Sequence, residues 1–549
     1  MKKKRLQYIS LLLFLTFVLS LCVPCIPVQA EAISAPVALA ETGSSSGSLT
    51  EANHFSSEST AGEATLASPE ESFTGDASFG DIAGHWAENG IKIWTVRELA
   101  SGYPDGTFRP DSSITRAEFL TLVNRAFSYT VAGQAIYSDV AETDWFAGEI
   151  AKAAAVGYLG GYPDGTVKPQ NPITRQEAAA LFAKILPPAN FGKDKNKDKF
   201  TDQAQIPEWS QAAIAAAVSG GYMSGYPDGT FQPTRPITRA EAISVLDRAV
   251  GTLYNHAGTY GSSQGTTLLE GDVTINTAGV TLQNTTITGN LYLTEGIGEG
   301  DVTLNNVTVQ GTTKISGGGS NSIHLLNTTV GNVLVNVPSR NLVRLLAQGS
   351  TAVGTLAART PARLEEKGIT GSGFTKVVVN TQQAITAPGG NTQQSSTITV
   401  ELLGQFGDIE VQSAAAQINL QEGSIQNLIL TSTAQAAQIN LAAWTSINTL
   451  VADTLATVQG QGTVEMLEAN VDGVVVEAPA KNVILEDGVQ ATVEGKTITE
   501  DYKYTEPKKK KSRDAALSDL AVNGKKVEGF APDTLDYTVV LPYGTEKAP

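Results

Sequence analysis

Hydrophobic and polar positions change rhythm once along the body of the chain. Up to about residue 252 apolar side chains recur at helical spacing, as from Trp145 through Ala155, a stretch stopped by Gly157. After about residue 265, strings of Val, Ile, Leu, Thr and Asn alternate and are broken by Gly, which predicts strands.

The helical part is written three times. GYPDG stands at Gly102 to Gly106, Gly161 to Gly165 and Gly225 to Gly229. Upstream lie Phe79-Gly-Asp81, Tyr137-Ser-Asp139 and Phe200-Thr-Asp202, each followed by a Trp: Trp86, Trp145 and Trp209. Self-similarity of this kind marks repeats, each one supersecondary unit packed on its siblings. Within a copy the pattern predicts helix, turn, helix. Pro, Asp and Gly give GYPDG its turn chemistry. The second helix opens on Thr115-Arg-Ala-Glu118, Thr174-Arg-Gln-Glu177 and Thr238-Arg-Ala-Glu241, and Thr followed three residues later by Glu is a capping box.

Capping accounts for the Thr and the Glu but not for the Arg between them. Arg116, Arg175 and Arg239 fall in the first helical turn, where a cation is disfavoured by about 0.3–1 kcal/mol. Two readings compete. Free backbone N–H groups and a guanidinium fork together suit a carboxylate or phosphate. Alternatively the Arg pairs with an internal acid such as Asp105, Asp164 or Asp228 of the turn. The Trp rings suit core packing first and sugar faces second, whereas Tyr103, Tyr162 and Tyr226, beside a turn, suit a surface.

In the alternating part, Leu282-Gln-Asn284-Thr-Thr-Ile287 recurs around Asn306 and Asn327, and Gln417-Ile-Asn-Leu420 recurs as Gln438-Ile-Asn-Leu441, a period of 21 to 22 residues. Strands at that period predict a parallel β-helix, with Asn284, Asn306 and Asn327 as a side-chain ladder at one corner. A series of β-sandwiches is the rival.

The ends read differently. Residues 1–30 combine Lys2, Lys3, Lys4 and Arg5, an apolar run from Ile9 to Val23 and the exit Val28-Gln29-Ala30, which is the pattern of a secretory signal peptide. Cys22 and Cys25, the chain's 2 cysteines, belong to it, so the mature chain is expected to hold itself without disulfides, and no other segment is apolar enough for a membrane. Residues 31–78, rich in Ser, Thr, Ala, Gly and Glu, read as a disordered linker. With 38 basic and 55 acidic residues the net charge is -17, which argues against nucleic acid as a partner. Residues 501–514 form a charged linker, and the alternating tail at 515–549 ends after about two strands, as a truncated domain would.

Other chemistry is thin. Residues 377–480 hold no Lys, Arg or His, and of their acids Glu465 and Glu468 are the one candidate catalytic pair; spaced acids on a solvated face are the commoner explanation. Asp194-Lys-Asn196-Lys-Asp198 alternates oxygen ligands but has Lys199 where a calcium loop needs Gly. His54, His85, His256 and His324 are too scattered for zinc. Neither a metal nor a cofactor is expected.

The three copies resemble S-layer homology motifs, on Asp81-Ile82, His85-Trp86, GYPDGTFRP at Gly102 to Pro110 and ITRAEF at Ile114 to Phe119, repeated at 79–133, 134–192 and 193–255. The resemblance implies an all-α, pseudo-threefold module; the all-β, right-handed parallel β-helix read from the period follows it at 266–500. It implies non-covalent binding of a secondary cell-wall polysaccharide, often pyruvylated, linked to peptidoglycan. By the resemblance Arg116, Arg175 and Arg239 contact the pyruvate carboxylate, and Trp86, Trp145, Trp209, Tyr103, Tyr162 and Tyr226 line the sugar grooves. The second copy departs, with Gln176 for Ala and Val167 for Phe, which implies a weaker groove there. The tail is similar to the start of a cadherin-like β-sandwich repeat. The expectation is a non-enzymatic cell-surface protein displaying a β-helix. A wall-anchored polysaccharide-degrading enzyme and a self-associating surface-layer or adhesive protein are the alternatives.

Overall fold

The computed structural model describes residues 79–134, 137–186, 200–339, 341–381, 397–503, 521–522 and 525–526. The expected signal peptide, the 31–78 linker, the Asp194–Asp198 segment, most of the charged linker and most of the cadherin-like tail lie outside them. The chain divides into two units, Met1–Tyr502 and Lys503–Pro549. In the second, Ala521–Val522 pairs antiparallel with Lys525–Lys526.

The helical module contains α1 (Glu88–Val96), α2 (Arg116–Ala126), α3 (Ala147–Val156), α4 (Arg175–Ile185), α5 (Glu208–Ser219) and α6 (Arg239–Val250), two per copy as the periodicity predicts. Gly157 stops α3 at φ 85°, a left-handed position glycine takes without steric cost. The copies meet around a closed triangle of main chain. Ile114 N–H donates to the Ile237 carbonyl, Ile237 to Ile173, and Ile173 to Ile114, at 3.1, 2.9 and 3.1 Å. All three side chains are fully buried. The ring closes only with three copies present, so the repeats fold as one core.

Beyond residue 252 the strands pair in parallel in three rows, ending in one antiparallel pair of Ala491–Val493 with Lys496–Ile498. This is a parallel β-solenoid of about 11 turns, and the parallel register excludes the sandwich series. Apolar residues stack in register inside it. One column runs Ile418, Ile439, Val458, Val476 and Val493, each 5% exposed or less. Repeated burial of this kind contributes about 1.5–3 kcal/mol per side chain and replaces the disulfides the mature chain was expected to lack. Asn284, Asn306 and Asn327 all take positive φ (47°, 55° and 51°). Asn306 donates to Asn284 Oδ1 at 2.8 Å, but Asn327 leaves the ladder and accepts from Ser350 N–H instead.

The module lies against the side of the first coils. Thr274, Tyr292 and Lys314 occupy outward, registered positions on successive coils, yet all are buried. Thr274 donates to the Val250 carbonyl and Lys314 Nζ to that of Ile185. Tyr292 packs edge-on against Phe127 at 5.8 Å and belongs to the module's core. Glu295 accepts from the N–H groups of Thr130 and Val131.

Candidate functional site: three seams between repeats

Every seam is built the same way, from copy one to two, two to three and three back to one. The helix starting at the conserved-position Arg does not leave its first amides open. Arg116 and Ala117 N–H donate to the carbonyls of Asn171 and Pro169, Arg175 and Gln176 to Arg235 and Pro233, and Arg239 and Ala240 to Ser112 and Pro110. The next N–H, of Glu118, Glu177 or Glu241, goes to the Oγ1 of Thr115, Thr174 or Thr238, and each Glu returns a bond to its Thr, completing the capping box. The expectation of free helix-end amides facing an anion is therefore corrected: neighbouring loop carbonyls occupy them.

The guanidinium groups are 5–7% exposed and reach across the seam. Arg116 Nε donates to Val167, Arg175 Nε to Phe231 and Arg239 Nε to Phe108, all carbonyls of the next copy, at 2.9–3.0 Å. Arg175 and Arg239 add a second bond through Nη2, to Ser224 and Ser101. Burial pulls the Arg175 guanidinium down to about 10, with Glu241 opposing it.

Nor do these Arg residues pair with the turn acids. Asp105, Asp164 and Asp228 are bonded to Thr107, Thr166 and Thr230 of their own turns. Their acid neighbours are the capping glutamates of the next copy. Arg116 Nη1 lies 3.5 Å from Glu177 and Arg239 Nη1 3.5 Å from Glu118. Capping thus does not exhaust those glutamates, which also accept from the hydroxyls of Tyr103, Tyr162 and Tyr226.

Each Tyr ring has two cations within cation–π range. The buried guanidiniums of Arg116, Arg175 and Arg239 sit 5.1, 4.6 and 4.8 Å from the ring centres of Tyr162, Tyr226 and Tyr103. Lys168, Arg235 and Arg109 approach the same rings at 4.5, 5.0 and 4.1 Å. These second cations are more exposed than the first and were missed from sequence, because Arg235 stands three residues beyond the position that Arg109 and Lys168 share. Cation–π contacts contribute about 0.5–2 kcal/mol each. Tyr103 and Tyr226 are half-buried and Tyr162 is buried, so the surface expectation holds in part.

The tryptophans reverse the core-packing expectation. Trp86 and Trp145 are 64% and 49% exposed and Trp209 is half-buried. The core Trp is Trp94, fully buried with its indole N–H on Asp247 at 2.9 Å. The departures of copy two have a visible consequence. Phe231 and Phe108 each stack on an Arg at 4.7 Å, while Val167 offers Arg116 no ring.

Residues 78–120, 136–179 and 199–243 match the model of the S-layer homology domain. The chain is 40% identical over 166 residues to "Cell surface glycoprotein 1" of Acetivibrio thermocellus, covering 28% of this chain and 7% of that one. It is 36% identical over 156 residues to the "Cellulosome-anchoring protein" of the same organism, 27% of this chain and 34% of that. With the "Surface layer protein" of Brevibacillus choshinensis it shares 38% over 165 residues, 29% and 14% of the respective chains. The match therefore spans 34% or less of these three relatives. Three S-layer homology domains on a parallel β-solenoid, with surface-layer relatives, mark a protein of the cell surface, located in the cell wall.

Proposed function

We propose that the chain is held without covalent linkage to an anionic, pyruvylated secondary polysaccharide of the wall through its three seams, and that the solenoid is displayed outward. The observation carrying this is the repeated Tyr with two cations beside its ring. In a chain of net charge -17, three cation pairs clustered at aromatic rings suit a polymer with carboxylate substituents and apolar sugar faces. The buried Arg of each pair sets the seam, and Arg109, Lys168 and Arg235 meet the charge from outside. Trp86 and Trp145 extend the apolar surface. The Glu465–Lys481 pair at 2.7 Å supports reading the solenoid as non-catalytic, since it engages one member of the candidate acid pair on the surface. Co-sedimentation with purified walls, before and after chemical removal of pyruvate, tests the anchoring. Loss of pelleting on removal is expected, and unchanged pelleting would sink the assignment. A reducing-end assay on the full chain tests the solenoid, and turnover of any glycan would make it an enzyme.

A further inference from the structure

From the solenoid we infer a second glycan site, for a neutral, hydroxyl-rich polysaccharide strand, along the outer face marked by Asn419, Asn440, Gln459, Glu477 and Trp444. Asn419, Asn440 and Gln459 come from successive coils in direct register: Asn419 opposes Asn440, and Asn440 opposes Gln459. Asn440 donates to Asn419 Oδ1 at 2.6 Å and Gln459 to Asn440 Oδ1 at 2.5 Å. The row lines an open groove that ends at Glu477 and is bordered by Ala442. Adjacent coils repeat about every 4.8 Å along the axis, close to the advance of one ring in an extended β-linked glycan. Each amide offers both a donor and an acceptor, which is the requirement of sugar hydroxyls. Gly460, in the groove lining, lets the adjacent coil approach closely, since a Cβ there would lie 2.0 Å from the Leu441 carbonyl.

Two residues beyond Ala442, Trp444 breaks two local rules. It is 99% exposed, and it takes φ 67° within the turn that Thr445 N–H closes on the Ala442 carbonyl. A bulky side chain is disfavoured at positive φ, and the neighbouring coils place Gly423 and Gly460 at positive φ at their own bends. Strain of this kind points to a role for the side chain outside the fold, and a solvent-facing indole in the turn that leaves the amide-bearing strand Ala437–Leu441 suits stacking on a pyranose ring.

Charge selects the class of ligand. Residues 377–480 contain nine acids and no Lys, Arg or His, so an anionic polymer is repelled. The module seams and residues 377–480 thus differ in chemistry, with cations at the seams and amides, hydroxyls and carboxylates in 377–480.

The test is affinity electrophoresis of the full chain in native gels containing hydroxyethylcellulose, arabinoxylan or glucomannan. Retardation in at least one gel is expected, weakened at least tenfold in Trp444→Ala and in Trp444→Gly, and independent of salt. The glycine variant suits the turn, and a far-UV circular dichroism spectrum equal to the parent's verifies its fold. Absence of retardation in all three gels overturns the proposal, as does equal retardation of parent and variants. A concentration-dependent dimer in sedimentation velocity, lost in both variants with no retardation of the parent, also overturns it and makes the occupant a second copy.

Discussion

Arg239 Nε donates to the carbonyl of Phe108 at 3.0 Å across 131 residues of sequence, and this bond fastens the third repeat to the first. Its Nη2 holds Ser101 as well. Arg239→Ala takes the guanidinium from two carbonyls and from beside the Glu118 carboxylate at once. Breaking a buried charged contact costs about 3–5 kcal/mol. Thermal melting of the full chain followed at 222 nm is expected to show the helical transition at a lower temperature, with the solenoid transition unmoved. An unchanged helical transition would mean that the seam is not closed by this side chain.

Arg116 has fewer partners than its siblings, with one carbonyl bond through Nε and no Phe beneath it. Arg116→Ala is therefore expected to destabilise the helical transition less than Arg239→Ala. Val167→Phe should recover part of an aromatic contact worth about 0.5–2 kcal/mol. The measurement is the rank order of the three midpoints, and an inverted order would refute it.

Much of this was legible beforehand. The capping boxes announced the starts of α2, α4 and α6, because a cap is a contact within four residues. The β-helix was legible because stacking in register repeats the same residues at a fixed period. What escaped are contacts whose partner lies in another copy. That the first amides of α2 point into the loop of the next repeat has no signal in Thr-Arg-Ala-Glu itself. Trp86 and Trp94 look alike as apolar aromatics, and only the path of α1 across Asp247 decides which is buried. The docking of the module on Thr274, Tyr292 and Lys314 was equally hidden, since outward positions of a solenoid strand read as solvated.

At the wall, the exposed cations should govern rate and salt dependence. Arg109→Gln, Lys168→Gln and Arg235→Gln combined are expected to weaken wall binding several-fold and flatten its dependence on ionic strength. Trp86→Ala with Trp145→Ala should weaken binding without altering the salt slope, and exposed substitutions of this kind shift stability by only about 0.5 kcal/mol. Co-sedimentation across a salt series distinguishes the two, and equal slopes for all variants would remove the electrostatic role.

Asn306 tests the corner of the solenoid. At φ 55° it holds a backbone that β-branched residues avoid. Asn306→Val should cost about 1–2 kcal/mol, whereas Asn306→Gly should lose only the bond to Asn284. Denaturant midpoints of the two variants are the measurement, and equal losses would show that the side-chain bond outweighs the backbone.

Lys314 gives the junction between module and solenoid a pH signature. Burial lowers its ammonium to about 8 from 10.5, Arg359 adds to the fall, and Glu295 opposes it. Between those values the unfolded chain binds more protons than the folded one, so stability rises with pH in that window. Below pH 8 the full cost of the buried charge is present; it is relieved as pH climbs towards 10.5. Burial raises Glu295 above its usual value, and the N–H groups of Val131 and Thr130 oppose that rise. The buried tyrosines Tyr129 and Tyr158 are raised and oppose the rise only above about pH 10, the ordinary tyrosine range. From pH 7.5 to 9.5 the parent should therefore gain about 1–2 kcal/mol relative to Lys314→Met, whose apolar side chain keeps similar length without a proton to lose. Paired melting curves at the two pH values read the difference directly, and parallel shifts in parent and variant would show that the ammonium is not held in an apolar junction.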